Sequence, residues 1–365
     1  MDKLGIGIVG LGNISAAYLK ASTNFPILDI RAVADMNPAA AKARADEFGL
    51  KAVGLDELFA DPSIDIILNL TIPKAHVEVG LRAIDAGKHV YSEKPLGIVF
   101  SEGQILVAAA KAKGLRVGSA PDTFLGGSHQ TARRIIDDGA LGQMIGGTAY
   151  FMCPGHERWH PNPAFYYEAG GGPMLDMGPY YITDLVNLLG PVAKVSGISS
   201  MLRDSRTITS KERAGEIIPV HVPTHVSGTL QFVNGAVVQV TMSFDVAAHK
   251  HVPLEIYGTE GSLLVPDPNH FGGQIEMLKK GGEWANVDTD MPYADGNYRS
   301  IGLADMAHAI AGDRPHRASG DLALHVLEVM EAFETSSQSG QVVTITTPVE
   351  RPAPLSESLV SGRLG

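Results

Sequence analysis

Short apolar runs alternate with amphipathic stretches over the first 121 residues, with turn residues between them. The runs at 6–9, 28–34, 65–70, 88–92 and 115–118 predict strands; the stretches between them predict helices at 14–21, 37–48, 73–86 and 101–114. Helix punctuation agrees. Asn37-Pro38 caps and starts the second helix, Gly49, Gly87 and Gly114 follow helix ends, and Ser101 with Gln104 reads as a capping box. Strands alternating with short helices imply right-handed βαβ units and a parallel sheet.

The pattern changes after a helix at 128–137. Strands are predicted at 143–152, 192–201, 227–233, 236–244, 252–257 and 262–265, and Asn234-Gly235 marks a hairpin. Helices are expected near 175–189, 302–311 and 321–336, and a proline-containing tail beyond 347 as an extended arm. The fold class is therefore α/β: an N-terminal Rossmann dinucleotide-binding domain at 1–122, then an α+β domain at 123–346 with a large, mostly antiparallel open sheet. Residues 347–365 form the tail.

Composition narrows the function. A chain of 365 residues suits about two domains. A net charge of −11 disfavours nucleic acid, so an anionic ligand must be held by local devices such as helix N-termini. The single Cys153 excludes an internal disulfide, and no apolar run is long enough to span a membrane. With a strand starting almost at Met1, a soluble, cytoplasmic protein is expected.

Gly10-x-Gly12-x-x-Ser15 follows the first strand and opens a helix, the context of a dinucleotide turn. Gly10 permits the tight turn, Gly12 lets backbone approach a pyrophosphate, and small Ser15 replaces the third glycine. Asn13 and Ile14 complete the turn as cofactor-binding candidates. Asp35 ends the second strand, where a carboxylate accepts from ribose hydroxyls and repels a 2′-phosphate, favouring NAD over NADP. Read structurally, Asp35 only begins the turn before Asn37.

Glu93-Lys94-Pro95 ends the fourth strand, and Asn69-Leu70-Thr71-Ile72-Pro73-x-x-His76 ends the third. Gly170-Gly171-Gly172-Pro173-Met174-Leu175-Asp176-Met177-Gly178-Pro179-Tyr180 begins a second-domain helix that puts Asp176 and Tyr180 on one face. Together with the glycine turn, these segments resemble the Gfo/Idh/MocA sugar dehydrogenases across the whole chain short of the tail. The resemblance implies that Lys94 lies beside the nicotinamide and hydrogen-bonds the reacting substrate oxygen. It also implies cofactor contacts from Thr71, Pro73, His76 and Glu93, although His76 reads equally as an ordinary, partly exposed helix residue, and a homodimer or homotetramer assembled through the C-terminal sheet. An ammonium there stabilises developing alkoxide character, and proline fixes the strand end that aims it. The chain departs from the family at Tyr180, where histidine is the usual proton acceptor. The candidates for the base are Tyr180 as a phenolate stabilised by Lys94, then His160 from the preceding loop, and Asp176 itself.

His156-Glu157-Arg158-Trp159-His160 has the spacing of a zinc-protease helix, but prolines on both sides leave no room for one, and no metal is expected. The segment reads instead as a substrate loop. Trp159, Tyr166 and Tyr167 are placed to stack on a sugar ring, and His160, Glu157 and Arg158 to bind hydroxyls; Asn297 and Arg299 are weaker contributors. The expected activity is NAD-dependent oxidation of a secondary hydroxyl of a sugar, polyol or sugar derivative, with a small carbohydrate as the partner. Two alternatives stay open: an NAD-dependent glycosidase working by transient oxidation and elimination, and a nucleotide-binding regulator without turnover.

Overall fold

The computed structural model describes residues 3–356, 359 and 361–364; residues 1 and 2 of the expected first domain, and 357, 358, 360 and 365 of the expected tail, lie outside the described residues. Five strands, β1 (Leu4–Val9), β2 (Leu28–Ala34), β3 (Ile66–Asn69), β4 (His89–Ser92) and β5 (Val117–Ser119), pair in parallel in the order β2-β1-β3-β4-β5. The linking helices are α1 (Ser15–Ser22), α2 (Pro38–Phe48), α3 (Leu55–Ala60), α4 (His76–Asp85) and α5 (Phe100–Ala112). Asn37 caps α2 through its side chain and Gly49 closes it in the left-handed conformation.

Local pattern and structure part in three places here. The six-residue α3, which buries Leu58 and Phe59, is too short to show a helical period. Residues 73–75 form a 3₁₀ turn, and α4 begins only at His76. The Ser101–Gln104 capping box does not form. α5 starts at Phe100, whose N–H donates to the Glu331 carboxylate at 2.7 Å, so a distant acid serves the helix end.

The second sheet has nine strands in the order β15-β14-β13-β12-β6-β11-β10-β7-β16. Their ranges are β6 (Met144–Met152), β7 (Val192–Ser200), β10 (His225–Phe232), β11 (Val237–Ser243), β12 (Leu254–Gly258), β13 (Gly261–Val265), β14 (Ile275–Lys279), β15 (Trp284–Val287) and β16 (Val343–Thr344). All pairs are antiparallel except β6 with β11. Asn234-Gly235 turns the β10–β11 hairpin, with Gly235 at φ +93°. Strands β14 and β15 escape sequence detection because β15 is largely exposed and carries little apolar pattern. A separate hairpin, β8 (Ser205–Thr207) with β9 (Ile217–Pro219), is inserted between β7 and β10.

One face of this sheet is covered by α7 (Gly172–Leu189) and α9 (Gly320–Ser339). α6 (Gly127–Asp137) packs on α7, and α8 (Ile301–Ala311) lies against β5 and α1. On the opposite face Ile198, Val237 and Trp284 are exposed. Residues 348–356 are extended but docked: Arg133 donates to the Pro352 carbonyl, Arg317 to those of Ala353 and Pro354, and Leu355 is buried. No helix among the described residues is long and apolar enough to cross a membrane.

Candidate active site

The glycine turn joins β1 to α1. Gly10 has φ +93°, and a Cβ there would lie 2.7 Å from the Leu70 and Thr71 backbone, so the turn is closed to any other residue. A Cβ on Gly12 would meet nothing within 4 Å: its face is open. α1 has no side-chain cap, and its first turn borders a cavity of about 390 Å³ lined by Asn13, Ile14, Ala16, Ala17, Lys20 and Asn297. A helix start without a side-chain cap, beside an open glycine, fits a pyrophosphate. The Asp35 carboxylate is aimed by two backbone donors, Leu11 N–H at 2.7 Å and Asn37 N–H at 2.8 Å. Arg44, from α2, reaches the Gly12 carbonyl at 3.5 Å, a cation at the turn that reading along the chain did not single out.

His76 stands differently from expectation. It is fully buried, with Nδ1 2.7 Å from the Pro95 carbonyl and Nε2 3.0 Å from that of Thr71. It ties the β3 and β4 loop ends together from behind and has no surface to offer a cofactor. Thr71 and Pro73 are partly exposed on that edge. Glu93 is buried too: its carboxylate accepts from the Tyr18 hydroxyl at 2.7 Å and from the Lys94 N–H at 3.0 Å.

Lys94 leaves the end of β4 and meets α7. Its Nζ donates to the Asp176 carbonyl at 2.6 Å and to Asp176 Oδ1 at 2.9 Å. Burial pulls the Lys94 pKa down, but the charges of Asp176, Tyr180 and Glu93 outweigh it and hold the ammonium above its ordinary value. Burial likewise opposes the Asp176 charge; Lys94 and His156 prevail and bring that carboxyl down to about 2. Both groups are ionised at neutral pH, which leaves Asp176 a weak proton acceptor.

Tyr180 lies one turn beyond Asp176, its ring centroid 5.1 Å from Lys94 Nζ. Its hydroxyl is 3.5 Å from Arg299 Nη2, and Arg299 also donates to Asn269 Oδ1 at 3.0 Å. Arg299 is carried by an unusual backbone: the next residue, buried Ser300, has φ +117°. The Ser300 and Gly302 N–H groups donate to Asp122, and the Ser300 hydroxyl to the Tyr18 carbonyl at 3.1 Å. Burial pushes the Asp122 carboxyl up to about 6 against those backbone donors. Strain of this kind persists only where the surroundings over-determine it.

Residues 156–160 make a single turn, not a helix: His160 N–H donates to the His156 carbonyl at 3.0 Å. The two histidines do not converge, and no group of three or more metal-ligating side chains occurs among the described residues. The histidine that reaches Asp176 is His156, its Nε2 3.1 Å from Oδ2. His160 instead accepts from the Asn162 N–H, edge-on to Trp159, Phe165 and Tyr166. Glu157 also departs from expectation: its carboxylate is held inside the protein by Arg206 at 3.1 Å and by the Tyr167 hydroxyl, so it does not present itself to a substrate. Tyr167 is buried with it. Arg158 and Trp159 are exposed, and Tyr166 is partly buried, close enough to Asp176, Lys94 and Tyr180 to feel their charges. Arg206, Asn269 and His156 were not among the expected site residues.

Residues 4–120 match the family described as the oxidoreductase family with an NAD-binding Rossmann fold, and residues 129–264 match the GFO/IDH/MocA C-terminal domain. The chain is 32% identical over 353 residues to a dTDP-3,4-didehydro-2,6-dideoxy-alpha-D-glucose 3-reductase of Streptomyces violaceoruber, covering 94% of this chain and 97% of that one. It is 26% identical to the 1,5-anhydro-D-fructose reductase of Ensifer adhaerens, over 84% of this chain and 88% of the relative. A levoglucosan dehydrogenase in complex with NADH and L-sorbose has the same fold, with a TM-score of 0.84 at 22% identity over 95% of this chain and 100% of that one.

Proposed function

Because this chain belongs to the Gfo/Idh/MocA oxidoreductases, whose N-terminal part is an NAD-binding Rossmann fold, we propose that it transfers hydride between NAD and a secondary hydroxyl of a sugar, polyol or sugar derivative. The observation that carries this reading is the Lys94–Asp176 pair, ionised and directed from the β4 end of the nucleotide sheet onto α7. The names of the relatives, reductases of anhydro- and deoxyketo-sugars, support the carbohydrate class.

Gly10, Gly12, Asn13 and Ile14 would hold the pyrophosphate, Asp35 the adenosine ribose, and Thr71, Pro73 and Lys94 the nicotinamide end, with buried Glu93 bracing Lys94 from behind. When bound, NAD supplies the hydride acceptor. Lys94 hydrogen-bonds the reacting substrate oxygen and stabilises its negative charge as the proton leaves. Tyr180, held between Lys94 and Arg299, takes that proton in oxidation and returns it in reduction. Asp176 keeps Lys94 charged and aimed. Trp159, Tyr166, His160 and Arg158 wall the substrate side. The exposed sheet face bearing Ile198, Val237 and Trp284 is our candidate for self-association into a dimer or tetramer, which light scattering would test.

The test is to incubate the pure protein with NAD and a panel of sugars and polyols, following absorbance and products together. We expect NADH and a keto product in equal amounts. Release of an aglycone without net NADH would replace the dehydrogenase with a redox-neutral glycosidase.

A further inference from the structure

We propose that Trp159, His156, Asp176 and Lys94 form a hydrogen-bonded relay through which the substrate loop sets the position of the lysine, with His156 its positioning residue. The inference rests on reading this cleft as the active site. The indole N–H of Trp159 donates to His156 Nδ1 at 3.2 Å. An indole nitrogen can only donate, so Nδ1 must accept, and the ring hydrogen lies on Nε2. That hydrogen points at Asp176 Oδ2, 3.1 Å away. The other carboxylate oxygen, Oδ1, and the Asp176 carbonyl take two of the three Lys94 donors. Both oxygens of Asp176 are thus engaged, and one Lys94 donor is left over.

The ring cannot easily turn out of this arrangement. His156 is buried, with Tyr166 and Phe244 ring centroids 4.5 and 4.6 Å from its own. Its neighbour Glu157 is locked to Arg206. Trp159, by contrast, is 58% exposed although its N–H is anchored inside. A sugar ring stacked on the indole therefore presses on the outer end of a chain whose inner end is the catalytic ammonium. The arrangement binds Asp176 from the loop side while Tyr180 occupies the position where the family carries histidine.

The relay predicts a split that simple stacking or packing does not. His156→Leu removes the donor and should lower kcat roughly a hundredfold, the cost of misplacing a reacting group by about an ångström, with KM changed only a few-fold. His156→Gln, whose amide can donate from the Nε2 position, should recover most of that loss. Trp159→Phe keeps an aromatic face but removes the indole donor. It should reduce kcat as well as raise KM, and ¹⁵N spectra of the NADH complex should change from the Nε2–H tautomer to a mixture. Wild-type spectra showing Nδ1–H, a His156→Leu enzyme with normal kcat, or a folded His156→Gln as impaired as His156→Leu would each overturn the relay. If wild type turns over no carbohydrate, the dehydrogenase reading fails, and the nitrogen spectra of wild type and Trp159→Phe decide the relay alone.

Discussion

Lys94 meets Asp176 twice, at the main-chain carbonyl and at the carboxylate, so the segment just past β4 of one sheet is fastened to α7, a helix packed on the other. Removing the ammonium takes away the charge that faces Asp176 and Tyr180. Lys94→Ala should therefore lower kcat by about a hundredfold or more, the loss typical of a preorganised charge stabiliser. NADH affinity, measured by fluorescence titration, should change little by comparison.

Gly12 separates binding from folding. A Cβ there meets no protein atom within 4 Å, so Gly12→Val should leave the denaturation midpoint nearly unchanged. The same methyl groups would occupy the pyrophosphate's approach, and NAD affinity by calorimetry should fall at least tenfold. Gly10→Ala should do the reverse first, destabilising the fold by about 1–3 kcal/mol because φ +93° is strained for alanine.

Asp35 is the residue we expect to set the cofactor preference. Its carboxylate is held by Leu11 and Asn37 backbone donors at the end of β2. NAD should bind at least tenfold more tightly than NADP, and Asp35→Ser should narrow that ratio. Equal affinities in the wild-type protein would remove Asp35 from the ribose site.

Tyr180→Phe keeps the ring against Lys94 and deletes only the hydroxyl beside Arg299. Turnover should collapse while the fold and NADH binding survive. His160→Ala should matter less for kcat, because His160 bonds Asn162 and not the Lys94–Asp176 pair. The opposite ranking would transfer the proton to His160.

Asp122 predicts a pH dependence of stability. Its folded-state pKa is raised to about 6 by burial, above the unfolded value, so the native state holds the proton more tightly. The stabilisation is complete below about pH 4 and is lost as pH rises through about 6. Asp122→Asn should flatten that decline by about 3 kcal/mol, as two pKa units imply. Urea titrations of both proteins at successive pH values would show it.

The nucleotide sheet was legible because its punctuation is local: Asn37, Pro38 and Gly49 act on their own helix. The features that escaped depend on partners far along the chain. Ser101 resembles a cap, yet Glu331 takes the helix end. His156 and His160 look equivalent in sequence. What distinguishes them is Arg206, which pins the intervening Glu157, and Asp176, which receives only the first. His76, too, has a partner on each side that its own segment does not announce: the Thr71 and Pro95 carbonyls flank its ring.

Arg206 gives the loop at 153–168 an inheritance constraint. From the inserted β8 strand it bonds Glu157 in the loop, and Asp245 and the Phe244 carbonyl just past β11. Cutting one partner from a buried ion pair strands a charge, at about 3–5 kcal/mol. The loop and the insertion therefore behave as one exchangeable cassette. Grafting residues 153–168 onto a related scaffold without the β8–β9 hairpin should yield a misfolded graft, whereas carrying both, together with Asp245, should transplant the recognition surface intact.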